Sequence, residues 1–130
     1  GELHDFLCHR IRHYFQSLIF NQSEHPVVFQ IKEYIRQNFA VPTLSVLDIS
    51  QYANRSSSYI CTLFKNETGQ TINQYLTDYR IKMSKQFLSD PRYRITDISA
   101  KVGYSDGNYY SKAFRKIVGL SPSEYREKIL

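Results

Sequence analysis

Cysteine is scarce in this chain of 130 residues: there are two, Cys8 and Cys61, too far apart for a metal-ligand or redox spacing. That usage fits a reduced, cytosolic setting. No apolar run approaches the length needed to cross a bilayer, and no signal-peptide pattern opens the chain. No membrane contact is expected. Strand alternation is missing as well. The Asp106-Gly107 pair stands between helical patterns rather than between strands. No glycine-rich phosphate loop, nucleophile with an adjacent base, or carboxylate pair is present, so an enzyme is not expected. Asp48 and Asp97 fall at equivalent first-turn positions, where helix capping accounts for them. His9 and His13 lie four residues apart, but no third ligand joins them, and neither a metal nor another cofactor is expected.

What is present is hydrophobic periodicity and an uneven charge. The hydrophobic fraction of 42% is enough for a packed core. The formal charge is +5, and it is not spread evenly. Residues 1–42 carry four Lys/Arg and four Asp/Glu, whereas residues 43–130 carry thirteen and eight. A basic excess confined to one part points to a polyanionic partner.

Leu3, Phe6, Leu7, Ile11, Tyr14, Phe15, Leu18 and Ile19 recur at three- and four-residue steps, which predicts an amphipathic helix over 2–20. It holds no sustained a/d register, so a coiled coil is not indicated. Packing on the domain and a dimer contact both stay open for it. A second helix begins after Pro26, with Val27, Val28, Ile31, Tyr34, Ile35 and Phe39 inward. Ser45 and Asp48 are spaced as a capping box for a short helix over 45–53 that stops at Asn54. Serines 56 to 58 supply hydroxyl caps for a helix over 57–67, ended by Gly69. Thr71 and Gln74 form another capping box and open a long helix to Ser89. Its inward face is read as Ile72, Tyr75, Leu76, Tyr79, Met83 and Phe87. Asp90-Pro91 closes it. A short helix over 95–102, a turn at Gly103, and a helix from Asp106 to Val118 follow. Gly119 ends that one, and Ser121-Pro122 starts the last.

Two stretches repeat. "DISQYANRSSSYICTLFKNETG" (48–69) aligns with "DISAKVGYSDGNYYSKAFRKIVG" (97–119), with one extra residue in the second turn. Phe64 matches Phe114, and Gly69 matches Gly119. Two copies are too few for a solenoid. Short helix, tight turn, longer helix is the helix-turn-helix plan. Ile49, Ala53, Ile60, Leu63 and Phe64 would fix the interhelix angle in the first copy. Ile98, Val102, Tyr110, Ala113 and Phe114 would do so in the second. The spacer helix has about 18 residues and spans about 27 Å at ~1.5 Å per residue. Successive major grooves on one face of DNA repeat every ~34 Å.

"ITDISAKVGYSDGNYYSKAFRKIVGLSPSEYR" and "SSSYICTLFKNETGQTINQYLTDYRI" together resemble the AraC/XylS family of bacterial transcription regulators, over about residues 26–130. The resemblance implies an all-α fold: two helix-turn-helix subdomains (about 45–69 and 95–119) joined by a linker helix (about 72–89), preceded by an N-terminal amphipathic helix. Residues 1–25 would connect to a missing upstream sensing, receiver or membrane-linked region. It implies sequence-specific double-stranded DNA binding, with both recognition helices in successive major grooves. It also implies contact with RNA polymerase and a homodimer formed through the upstream region.

Carried over by position, the base-facing residues are Ser58, Cys61 and Thr62 in the first copy, and Gly107, Asn108, Ser111 and Lys112 in the second. Lys65, Arg80, Arg115 and Lys116 would meet phosphates. Asn108 has the donor and acceptor to pair with adenine, and Lys112 can reach guanine O6 or N7. Gly107 has no side chain and allows close approach. Ser58, Cys61 and Thr62 are short where the family often carries Arg or Gln, so the first copy is expected to lean on phosphates and DNA shape. Cys61 reads as a small residue rather than a redox sensor, and Lys82 and Lys85 as a solvated face. The competing function from another class is a helical protein–protein interaction module whose basic surface binds an acidic partner.

Overall fold

The computed structural model describes residues 24–130, so the amphipathic stripe expected over 2–20 lies outside the described residues. Within them the chain forms seven helices and no strand: α1 Pro26–Asn38, α2 Val46–Ala53, α3 Ser57–Thr68, α4 Ile72–Leu88, α5 Ile95–Lys101, α6 Gly107–Val118 and α7 Pro122–Ile129.

Most helix ends are set by residues a few positions away. The Ser45 hydroxyl accepts from the Asp48 amide, and the Asp48 carboxylate accepts from the Ser45 amide at 3.0 Å. Thr71 and Gln74 open α4 by the same reciprocal pair, at 3.0 and 2.9 Å, and Ser121 and Glu124 open α7 likewise. Each box satisfies two amides that have no partner inside the helix. At the far ends, Asn54 closes α2 in the left-handed region (φ 55°), and Gly69 and Gly119 close α3 and α6 there. Helix α5 departs from the expected pattern. Its N-cap is Arg94, which offers no side-chain oxygen. Asp97 therefore contributes only a first-turn charge, whereas its counterpart Asp48 caps α2.

The helices close over two cores. The first buries Ile31 and Ile35 of α1, Ile49 of α2, Ile60 and Phe64 of α3, and Ile72 and Leu76 from the start of α4. The second buries Ile81 and Leu88 from the end of α4, Ile98 of α5, Val102 just after it, and Tyr110 and Phe114 of α6. Helix α4 thus belongs to both. Nine residues at about 100° each place Ile81 on the side opposite Ile72. The single face read from the sequence is therefore incomplete: Ile81, Ser84 and Leu88 are buried on the far side. A 17-residue helix locked into a core at each end is a rigid spacer of about 26 Å.

The duplication is larger than the two aligned stretches. Val28, Ile31, Lys32 and Ile35 of α1 correspond to Ile81, Ser84, Lys85 and Leu88 of α4. Lys32 lies 5.8 Å from the Tyr75 ring centre, and Lys85 lies 5.6 Å from that of Tyr125. Lys85 is thus packed on an aromatic ring rather than simply solvated. Phe64 meets Tyr75 edge-on at 5.5 Å, and Phe114 meets Tyr125 edge-on at 5.5 Å. Each unit is therefore three helices plus the first turns of a fourth.

Candidate nucleic-acid interface

Helices α3 and α6 are built alike. In α3, Ile60 and Phe64 are fully buried; in α6, the equivalent Tyr110 and Phe114 are. These pairs, four residues apart, define the inward face. Everything on the opposite side is left to solvent. Ser58, Cys61 and Thr62 are exposed on α3, and Gly107, Asn108, Ser111 and Lys112 are exposed on α6. The structure thus puts all seven expected base-facing residues on two equivalent free surfaces.

The two faces differ in chemistry. Helix α3 carries Lys65 and Glu67, for no net charge, while α6 carries Lys112, Arg115 and Lys116 and no acid. Lys65 donates to the Gly69 carbonyl at 3.0 Å and so helps to close its own helix. Arg115 and Lys116 are exposed. Lys65 and Lys116 line one cleft of about 580 Å³, floored by Asn73, Gln74 and Thr77 of α4. The ends of α3 and α6 therefore open on the same side of the spacer, and a phosphate candidate from each unit faces that cleft.

A smaller groove of about 290 Å³ lies where α5 meets the first turn of α6. Asn108 and Ser111 line it together with Thr96, which the sequence reading did not select. The equivalent of Thr96 in the first unit is Leu47, 60% exposed. Tyr59 and Tyr109 also occupy equivalent exposed positions, at 43% and 67%, and were not selected. Aligning the repeat position by position is the signal that finds them.

Arg80, expected to meet a phosphate, has its guanidinium engaged within the protein. Its Nε donates to the Phe39 carbonyl at 2.8 Å, and its Nη2 donates to the Val41 carbonyl at 2.9 Å. The guanidinium also lies 5.5 Å from the Tyr104 ring centre. Burial lowers its pKa from the ordinary value. This cation is engaged inside the protein and does not belong to the exposed basic set. Arg126 makes a similar clamp in the second unit, donating to the Leu88 and Asp90 carbonyls at 3.1 and 3.2 Å. Each arginine bonds one carbonyl at a helix C-terminus, Phe39 or Leu88, which has no partner in the helix, and a second in the turn beyond, Val41 or Asp90, which also accepts a backbone amide. Among the described residues, no cluster of metal-ligating side chains occurs, and no helix is long and apolar enough to cross a membrane.

Comparisons with known proteins agree with this geometry. Residues 49–128 match the model of a helix-turn-helix domain family. The chain is 35% identical to the Msm operon regulatory protein of Streptococcus mutans over 131 residues, covering 99% of this chain and 47% of that protein. It spans less than half the length of the curated relatives it matches. Among solved structures, it is similar to the C-terminal domain of AraT, a response regulator from Geobacillus stearothermophilus. That match has a TM-score of 0.78 and 30% identity, covering 80% of this chain and 86% of that one. A transcriptional regulator from Chromobacterium violaceum, described as containing an AraC-type DNA-binding domain, matches with a TM-score of 0.76 and 25% identity. That match covers 84% of this chain and 96% of that one.

Proposed function

Because the chain belongs to the AraC-type helix-turn-helix family, we propose that residues 26–130 bind double-stranded DNA sequence-specifically, with α3 and α6 in successive major grooves. The observation that supports this most directly is the pair of matched helices. Their buried faces coincide position by position, their opposite faces are free, and one continuous helix holds them at a fixed separation.

The second unit reads bases. Asn108 and Lys112 carry donors and acceptors of the reach that adenine and guanine edges require, and Ser111 adds a hydroxyl. Gly107 lets the helix approach closely. Arg115 and Lys116 hold phosphates. The first unit presents only Ser58, Cys61 and Thr62 to the bases, with Lys65 at its end, and contributes mainly through DNA shape and backbone contact. Control of transcription in a bacterial cytoplasm belongs to the same proposal. So do RNA polymerase as a second partner and a homodimer of the whole protein.

The test is binding to duplex DNA across a salt series. Paired phosphate contacts predict a log–log slope near −0.9 per contact. Binding with no dependence on sequence would contradict specific recognition, and no binding to duplex DNA at all would favour a basic module for an acidic protein.

A further inference from the structure

Arg80 sits at the changeover point of α4, directly after Tyr79, which still packs against the first core, and directly before Ile81, the first residue α4 buries in the second. Its guanidinium touches both units. Phe39, whose carbonyl it binds, follows α1 of the first unit, and the Phe39 side chain packs against both cores. Tyr104, whose ring it faces, lies in the turn of the second unit. The backbone leaves no slack here. Gly103 has φ +96°, and a Cβ on it would collide with the Phe39 carbonyl and the Arg80 Nε. A carbonyl of one unit, a turn of the other and the spacer helix thus converge on one side chain.

We propose that Arg80 is a positioning residue that fixes the angle between the two recognition units and so sets the separation of the half-sites they read. The inference rests on the paired-groove reading above. It differs from a plain stability role because the groups that Arg80 joins belong to different units. Arg126 is the built-in control. It uses the same donors on two carbonyls, Leu88 and Asp90, both in the second unit. Lysine cannot replace Arg80, since a single ammonium neither forks to two carbonyls nor stacks flat on a ring.

The experiment measures affinity for duplexes whose two half-sites are moved apart or together one base pair at a time, alongside thermal melts of each variant. The wild type should show one sharp optimum. Arg80→Gln and Arg80→Lys should lose about tenfold at that optimum and little elsewhere, because the second contact loses its effective concentration. Arg126→Gln should melt earlier and keep the shape of the profile. A loss by the same factor at every spacing for Arg80→Gln, or an unchanged profile, overturns the proposal. If neither Arg80 variant folds, Tyr104→Leu carries the test, since it leaves both carbonyl bonds in place: a flattened profile supports the joint and a retained one overturns it. A wild type with no preferred spacing overturns the joint, while a wild type that binds no duplex at all overturns the DNA-binding reading beneath it.

Discussion

The two helix-turn-helix units share a scaffold and differ in what they show to solvent. Ile49, Ile60 and Phe64 in one are matched by Ile98, Tyr110 and Phe114 in the other, all buried. The ring contacts behind them repeat to within a tenth of an ångström. The exposed faces have parted. One offers three short side chains and no net charge, and the other offers Asn108, Lys112, Arg115 and Lys116. Burial constrains the inward positions, because a packed core tolerates little change in volume. The outward positions answer only to whatever docks on them. A duplicated fold can therefore divide its work, with one copy reading and the other holding.

Substitutions can break or sharpen that contrast. The largest effect should be symmetric. Phe64→Ala and Phe114→Ala should each cost about 3–5 kcal/mol in urea unfolding. A large difference between them would show that the scaffolds are not equivalent. The turns come next. Gly103→Ala places a Cβ at φ +96° against the Phe39 carbonyl and should cost about 1–3 kcal/mol, whereas Asn54→Gly at φ 55° should be near neutral. On the exposed faces, Lys112→Ala should reduce discrimination between preferred and mismatched duplexes by about 1–3 kcal/mol. Its counterpart Thr62→Ala should change it by less than about 1 kcal/mol. Lys116→Ala should weaken all duplexes alike and reduce the salt slope by about one.

The smallest effect concerns a feature of the second unit alone. Hydrogen bonds from the Arg92 side chain and amide hold the partly exposed Asp90 carboxyl at about 2, below its ordinary 3.8. A depressed pKa stabilises the fold above the ordinary value, and that contribution is lost as the pH falls through about 2. Asp90→Asn should therefore lower the urea midpoint slightly at neutral pH, and the gap from wild type should close on acidification.

Much of this was legible in the sequence because the signals are local. Ser45 with Asp48, Thr71 with Gln74, and the closing Gly69 and Gly119 each act within a few residues, and each marks a helix end in the structure. The two free faces were legible because the repeat places them opposite Phe64 and Phe114. What escaped involves contacts far apart in sequence. Arg80 finds Phe39 and Val41 across about forty residues, and Arg126 finds Leu88 and Asp90 across nearly as many. Nothing in their own neighbourhoods distinguishes them from surface cations. The opposite face of α4 escaped because Ser84 interrupts the apolar pattern between Ile81 and Leu88. Its hydroxyl is buried yet satisfied, donating to the Ile81 carbonyl at 2.7 Å. The α1 counterpart of α4 escaped for the same reason, since Ile31 aligns with that serine.

Selection of random duplexes on this chain tests the division of labour most directly. The expected result is two half-sites about one helical turn apart, with a well-defined base sequence under α6 and a weak, shape-like preference under α3. Equal information in both half-sites, or a stronger sequence under α3, would contradict it.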